Sequence, residues 1–201
     1  MITIDPQQNN KRDNYKLMIG SIIPRPIAFV TTQSEEGVLN GAPFSYFSIV
    51  SSNPPTISLG VQRIKGKMKD TARNIYNNKE FVVHIVDIEN LLKVNETAAT
   101  LPPEESEIEL AKLTPVLSSK ITVPGIMESK IRMECKLVQA IQLGGELTNT
   151  DLIIGEVVQF HIDETIYSNG KIDAKGLSAI SRLAGSDYAT IGDIITIERP
   201  K

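Results

Sequence analysis

Five basic side chains, Arg63, Lys65, Lys67, Lys69 and Arg73, stand close together, with Asp70 as the only acid among them. They fall between a β-prone run and the start of a helical pattern. A helix start offers unpaired N–H groups and a partial positive charge, and nearby Lys or Arg adds to both. Such a place can take a phosphate monoester, with Thr71 and Asn74 as neutral donors. Read alone, the same cluster also fits a solvated basic loop. A second stretch, Asn40-Gly41-Ala42-Pro43-Phe44-Ser45-Tyr46-Phe47, is small, proline-broken and ends in an aromatic pair. Its backbone, the Ser45 hydroxyl and the Asn40 amide can meet the polar edge of a flat heterocycle, and Tyr46 or Phe47 can wall it. A bulged strand pair with core aromatics fits this stretch equally well.

The remaining reactive residue types do not assemble. His84 lies inside an apolar run and reads as a core histidine. Glu134 alternates with Arg132 and Lys136 on the polar side of a strand, and Cys135 on its apolar side reads as core. One cysteine and two distant histidines, His84 and His161, give no zinc-type set. No GxGxxG occurs, and Gly60 to Gly66-Lys67 fails as a phosphate loop in spacing, with Met68 where Ser or Thr is needed. No Ser/His/Asp arrangement or carboxylate pair can be written.

A net charge of −3 supplies no field for nucleic acid or an anionic membrane. No run is long enough to span a bilayer, and no signal peptide is visible. The lone cysteine suits a reducing compartment, so a cytoplasmic protein is expected. Asn95-Glu96-Thr97 matches a glycosylation acceptor by chance on this reading.

The elements that must position these groups are mostly strands. The sequence predicts a lead-in helix or turn around Tyr15–Ile19, then a strand over Ile27–Thr32 and a hairpin at Gln33–Gly37. Extended chain over Val38–Ser52, broken at Pro43, leads to a turn at Asn53-Pro54-Pro55 and a strand over Thr56–Val61. Asp70 is expected to N-cap a helix over Thr71–Asn78, followed by a doubly covered strand over Phe81–Val86. Residues 89–119 read as an insertion with two short helices. Strands follow over Ile131–Leu137 and Leu152–Ile162, around a loop at Gly144–Asp151 and with a bulge at Gly155. Asn169-Gly170 is a turn, Leu177–Leu183 a short helix or irregular, and Ile194–Ile197 a closing strand. The whole reads as one mainly β domain, residues 1–201, of barrel type.

The order and spacing of several short motifs add to this reading. Pro24-Arg25-Pro26-Ile27-Ala28-Phe29-Val30-Thr31-Thr32, Gly37 with Asn40, and Ala42-Pro43-Phe44-Ser45-Tyr46-Phe47 come first. Ser52-Asn53-Pro54-Pro55, Lys69-Asp70-Thr71 with Asn74, and Glu80-Phe81-Val82-Val83 follow. Glu134-Cys135-Lys136-Leu137, Ile154-Gly155-Glu156-Val157-Val158, and Arg182-Leu183-Ala184-Gly185 with Tyr188 complete the set. Together they resemble the flavin reductase-like family of FMN-binding split barrels, over about residues 15–190.

The resemblance implies a six-stranded Greek-key split β-barrel with short helices inserted, and a homodimer with FMN at the subunit interface. Carried over by position, Thr31 would lie along the flavin, and Asn40, Ala42, Ser45 and Tyr46 would line its ring. Lys69, Asp70, Thr71 and Asn74 would meet the phosphate and ribityl end, in agreement with the basic helix start. Arg182 and Tyr188 would approach the open flavin face. Gly41 stands where relatives often carry a larger apolar residue, and His84 where Asn is common. The implied activity is an NAD(P)H-dependent flavin reductase, with hydride passing from the nicotinamide to flavin N5. The alternatives are an FMN-binding electron carrier without intrinsic NAD(P)H activity, or a split barrel using another flavin-like cofactor. With no Rossmann glycines, NAD(P)H is expected to bind shallowly and transiently. Partners other than flavin, nicotinamide and a second copy, such as nucleic acid or membrane, are not expected.

Overall fold

The computed structural model describes residues 1–144 and 148–200. Seven antiparallel strands make the main sheet. They are β1 (Ala28–Gln33), β2 (Leu39–Phe44), β3 (Phe47–Ser52), β4 (Pro55–Gln62), β5 (Glu80–Ile85), β6 (Ile131–Gly144) and β7 (Thr148–Ile162). Their spatial order is β2-β1-β5-β6-β7-β4-β3. The two edges, β2 and β3, are consecutive in the chain and joined only by Ser45-Tyr46. So short a link forces the sheet to roll until its edges approach, which twisted antiparallel strands allow. A backbone bond from Gly60 N–H to the Tyr46 carbonyl, 2.7 Å, fastens the link to β4. Edge strands that meet without pairing make the barrel a split one.

The roll encloses a core of Ala28, Val30, Phe44, Leu59, Val61, Ile75, Phe81, Val83, Met133, Cys135 and Ile153. A second core covers the outer face, where Phe29, Val86, Val94, Ile108, Leu113, Ile126 and Ile180 pack together. Strand β1 lies between the two cores, and β5 has a third cluster on its outer face, Val82 with Ile121 and Val123, which explains their unbroken apolar runs. The insertion supplies the outer layer through helices α3 (Leu91–Glu96) and α4 (Glu107–Leu110). Helix α1 (Lys11–Ser21) leads in, capped by the Asn10 side chain on Asp13 N–H. Helix α2 (Asp70–Asn78) packs its Ala72 and Ile75 into the inner core.

Several expectations change. The sheet has seven strands rather than six, because Val38–Ser52 splits into β2 and β3. The break falls at Ser45-Tyr46, not at Pro43, which sits in register opposite Phe29. An edge strand tolerates a residue with no N–H to donate. Lys69 takes the N-cap position with extended backbone, and Asp70 is in the first turn, one residue from expectation. Thr148–Asp151 belongs to β7; residues 145–147 of the expected loop lie outside the described residues. Leu177–Leu183 holds the end of a short helix, α5 (Ala174–Leu177), and a strand, β8 (Ile180–Arg182). That strand pairs with Arg25-Pro26 and with β9 (Tyr188–Thr190). Ile194–Ile197 forms no strand, since nothing among the described residues pairs with it. Gly37 has the expected positive φ of 89°, and the ladder shifts register at Gly155 as the bulge required.

Candidate functional site

A cleft opens where the two sheet edges meet. Its floor is Pro43, Phe44 and Ser45 at the end of β2, and Tyr15 of α1 and Lys69 before α2 flank it. Two hollows share these residues and Arg182. The smaller, about 150 Å³, adds Arg25, Tyr46, Gly60 and Gln62. The larger, about 420 Å³, runs under α3 against Ile27, Val86, Leu91, Val94 and Ala98, with Tyr188 at its side. Both hollows carry polar groups, and the larger adds a row of aliphatic side chains on its α3 side.

Three cations line it, and no carboxylate does. Arg25 is only 6% exposed and spends its donors on neutral acceptors. Its Nη1 donates to the Ile19 and Ile22 carbonyls at 2.7 and 2.6 Å, and its Nη2 to the Leu183 carbonyl at 2.8 Å. Its Nε reaches the Ser45 hydroxyl at 3.4 Å. The guanidinium thus stitches α1, β2 and the β8–β9 turn together, and its charge remains uncompensated. Lys69 lies 5.6 Å over the Phe44 ring, and burial lowers its pKa. Arg182 stacks 4.3 Å from the Tyr188 ring centroid and donates to the Gly185 carbonyl. Buried cations without counterions are unfavourable unless something negative joins them.

Of the predicted site residues, Ser45, Tyr46, Lys69, Arg182 and Tyr188 come together in this cleft. Asn40, Thr71 and Asn74 also come together, but with one another. The Asn40 carbonyl oxygen accepts from the Thr32 and Thr71 hydroxyls at 3.2 and 3.1 Å, and Asn74 donates to Thr32 at 3.2 Å. The Asn40 amide donates to Glu107 at 2.8 Å, and Glu107 also accepts from Gly41 N–H at 3.3 Å. All five side chains are buried. They lock β1, β2, α2 and α4 behind the cleft rather than lining it. A Cβ on Gly41 would meet Ile108 Cδ1 at 2.5 Å, so α4 packs where a larger residue would project.

Thr31 is buried on the outer face, its hydroxyl donating to the Pro124 carbonyl at 2.7 Å, and Ala42 packs on the inner core. Asp70 pairs with Arg73. The basic cluster disperses: Arg63 forks onto buried Asp151 at 2.7 and 2.8 Å, and Lys65-Gly66 is a tight positive-φ turn. Only Lys69 of the five faces the cleft.

His84 is a core histidine. Its Nδ1–H donates to the Phe29 carbonyl at 3.0 Å, and its Nε2 accepts from Ile126 N–H at 2.9 Å. That pattern fixes the neutral ring, and burial pushes its pKa down to about 3. Glu134 corrects the sequence reading, for it is fully buried under the 118–127 segment. It accepts from Ser119 N–H, Lys120 N–H and His161 Nε2, each at 2.6 Å, and these bonds hold its pKa down against burial. Burial raises the Cys135 thiol, which leaves no reactive thiolate. Among the described residues no cluster of three metal-ligating side chains occurs, and no helix is long and apolar enough to cross a membrane.

Sequence reasoning missed Arg25, Thr32 and Glu107. Arg25 had a signal, a lone cation between prolines at the head of an apolar strand. Glu107 had none, since it comes from the insertion, 67 positions from Asn40.

An acid-free, cationic cleft with aromatic walls suits a flat ligand carrying negative charge, and a flavin phosphate is one. The flavin reductase-like domain family matches residues 19–176. The chain belongs to this family. A crystal structure of nitrilotriacetate monooxygenase component B from Bacillus cereus is 57% identical, with a TM-score of 0.97 and 98% of each chain covered. The Bacillus subtilis protein YwrF is 48% identical over 204 residues, covering 100% of both chains. A Shewanella frigidimarina protein with a split barrel domain shares the fold, with a TM-score of 0.83 at 21% identity over 96% of each chain. Membership makes this flavin reductase-like chain a flavin-related oxidoreductase. Its cationic cleft lies at the Phe44–Ser45 end of β2 and its buried network at the Asn40–Gly41 end.

Proposed function

We propose that this chain is a reductase that holds FMN in the Phe44–Lys69 cleft and draws electrons from NADH or NADPH. The observation that carries the reading is the trio of Arg25, Lys69 and Arg182 around aromatic walls with no acid among the lining residues. Bound FMN supplies a ring that accepts hydride and releases electrons onward. Lys69 meets the phosphate charge, aided by the first N–H groups of α2. Ser45 and the backbone of Phe44–Tyr46 meet the polar ring edge, and Tyr46 walls it. Thr71 and Asn74 act one layer back, through Asn40, by fixing the helix start that carries Lys69. Thr31 and Ala42 shape the strand pair without reaching the cleft by their own side chains. Arg182 on Tyr188 borders the side left open to a donor. The likeness to a monooxygenase component supports a reading in which reduced flavin serves a second protein. We place the working form as a homodimer in the cytoplasm, in line with the single buried thiol.

The test is a visible absorption spectrum of the purified protein with FMN, followed by anaerobic NADH and then NADPH. A flavin band that bleaches with either nucleotide supports the reductase and names the donor. A band that bleaches only with dithionite turns the protein into an electron carrier. No flavin band, or the spectrum of another cofactor, overturns the FMN assignment.

A further inference from the structure

The C-terminal segment 191–200 exposes a run of large apolar side chains. Ile191, Ile194, Ile195 and Ile197 are 44, 57, 81 and 83% exposed. The segment follows β9 without a strand of its own, and among the described residues no strand pairs with it. Its run Ile194-Ile195-Thr196-Ile197 is β-branched throughout, a composition that fits a paired strand rather than a solvated tail.

The 57% identical crystal structure covers 98% of this chain. About four residues are thus uncovered, fewer than the segment contains, so most of it has an ordered counterpart on the same path. An extended segment stays ordered only where something packs on it. The chain itself does not, so the cover comes from another molecule.

A matching surface exists on the same fold. Strand β3 is a free edge with unpaired N–H and C=O groups along one side, and it exposes Ile49 by 80% and Val50 by 54%. Apolar edges of this kind invite strand addition. We propose that residues 191–197 form an arm that pairs with the β3 edge of a second copy. Both halves of the contact are present in every chain, so two exchanged arms close a symmetric dimer. Because β3 begins one residue after Tyr46, each arm borders the lip of its partner's cleft. The inference gives the proposed dimer its contact and does not depend on flavin.

The experiment compares masses in solution by light scattering, for the full chain and for Ile194→Asp/Ile195→Asp/Ile197→Asp. Those side chains belong to no core cluster, so the variant should keep the parent's circular dichroism. A parent at twice 22.1 kDa and a variant at 22.1 kDa support the arm. A monomeric parent, or a variant that stays dimeric, overturns it. A second measurement mixes Ile49→Cys protein with Ile195→Cys protein under mild oxidation; the one native thiol, Cys135, is buried. A covalent dimer from the mixture, absent from either protein alone, places the arm on β3, and its absence removes it from there. Neither flavin nor nicotinamide enters these readings, so a failed flavin spectrum leaves them unaffected.

Discussion

Two groups of polar side chains lie at the two ends of β2, and they are built on opposite terms. At the Asn40 end, Thr32, Asn40, Thr71, Asn74 and Glu107 satisfy one another, and His84 is satisfied nearby by two backbone groups. At the Ser45 end, Arg25, Lys69 and Arg182 have no carboxylate partner. Polar groups that are closed on themselves hold backbone in place; charges left open are there for something that arrives. Changes in the network should therefore act first on stability, and changes in the cleft on ligand.

The largest effect is expected from protonating His84. Its folded pKa is depressed to about 3 from an ordinary 6.5, so the unfolded chain binds the proton first. Its stabilising contribution is present above pH 6.5 and is lost as pH falls toward 3. The loss over the whole shift approaches about 5 kcal/mol, of which about 3 kcal/mol falls between pH 7 and pH 4. Urea unfolding from pH 7 to pH 4 should show it, and His84→Gln should flatten the slope. An unchanged slope would mean that His84 is not enclosed in this way.

Glu107 comes next. Glu107→Ala leaves the Asn40 amide and Gly41 N–H without an acceptor, at a cost of about 3 kcal/mol. Glu107→Gln keeps an acceptor oxygen and should cost under about 1 kcal/mol. Burial raises the Glu107 pKa, so the sign is opposite to that of His84. Its contribution is fullest below the ordinary value of 4.5 and declines as pH rises past it, and Gln should abolish that decline. Once folded, both variants should keep FMN affinity within about threefold. A large affinity loss with unchanged stability would move Glu107 into the binding site.

These two residues also mark how far the sequence could be read. The strand and helix positions followed from period-2 runs and turn residues, because both are local signals. The doubly covered β5 was legible from its unbroken apolar run. Glu134 was misplaced because alternation reports faces, and an insertion can cover the polar face as well. The resemblance sets Asn40 against the ring and Thr71 and Asn74 against the phosphate, whereas in the fold they meet one another, and their enclosure depends on Glu107, which only the folded insertion delivers. The basic cluster misled for the same reason: Asp151, far along the chain, neutralises Arg63.

In the cleft, Lys69→Ala should weaken FMN by about thirtyfold, near 2 kcal/mol for one charged contact, and leave riboflavin almost unchanged. Thr71→Ala should lower stability and weaken FMN more mildly, through the helix start that carries Lys69, again with little effect on riboflavin. Fluorescence quenching titrations of the two flavins and urea unfolding separate these outcomes. Equal losses for FMN and riboflavin in Lys69→Ala would put the phosphate elsewhere, and with it the division between the two ends of β2.

Arg182 should give the smallest effect and the finest test. Its guanidinium is held by Tyr188 stacking and one carbonyl, and it stands partly exposed at the cleft mouth. Exposed charges act through a screened field, so Arg182→Gln should change FMN affinity by no more than about threefold. On the proposed function the donor meets the cleft from that open side, and its pyrophosphate brings negative charge past the arginine. Its KM should rise about fivefold, near 1 kcal/mol, while the maximal rate changes little. Added salt should erase the difference, because the interaction is screened and not enclosed. A loss of rate without a change in KM would instead mean that the arginine orients the reacting groups, and the open side of the cleft would then be as tightly built as the closed one.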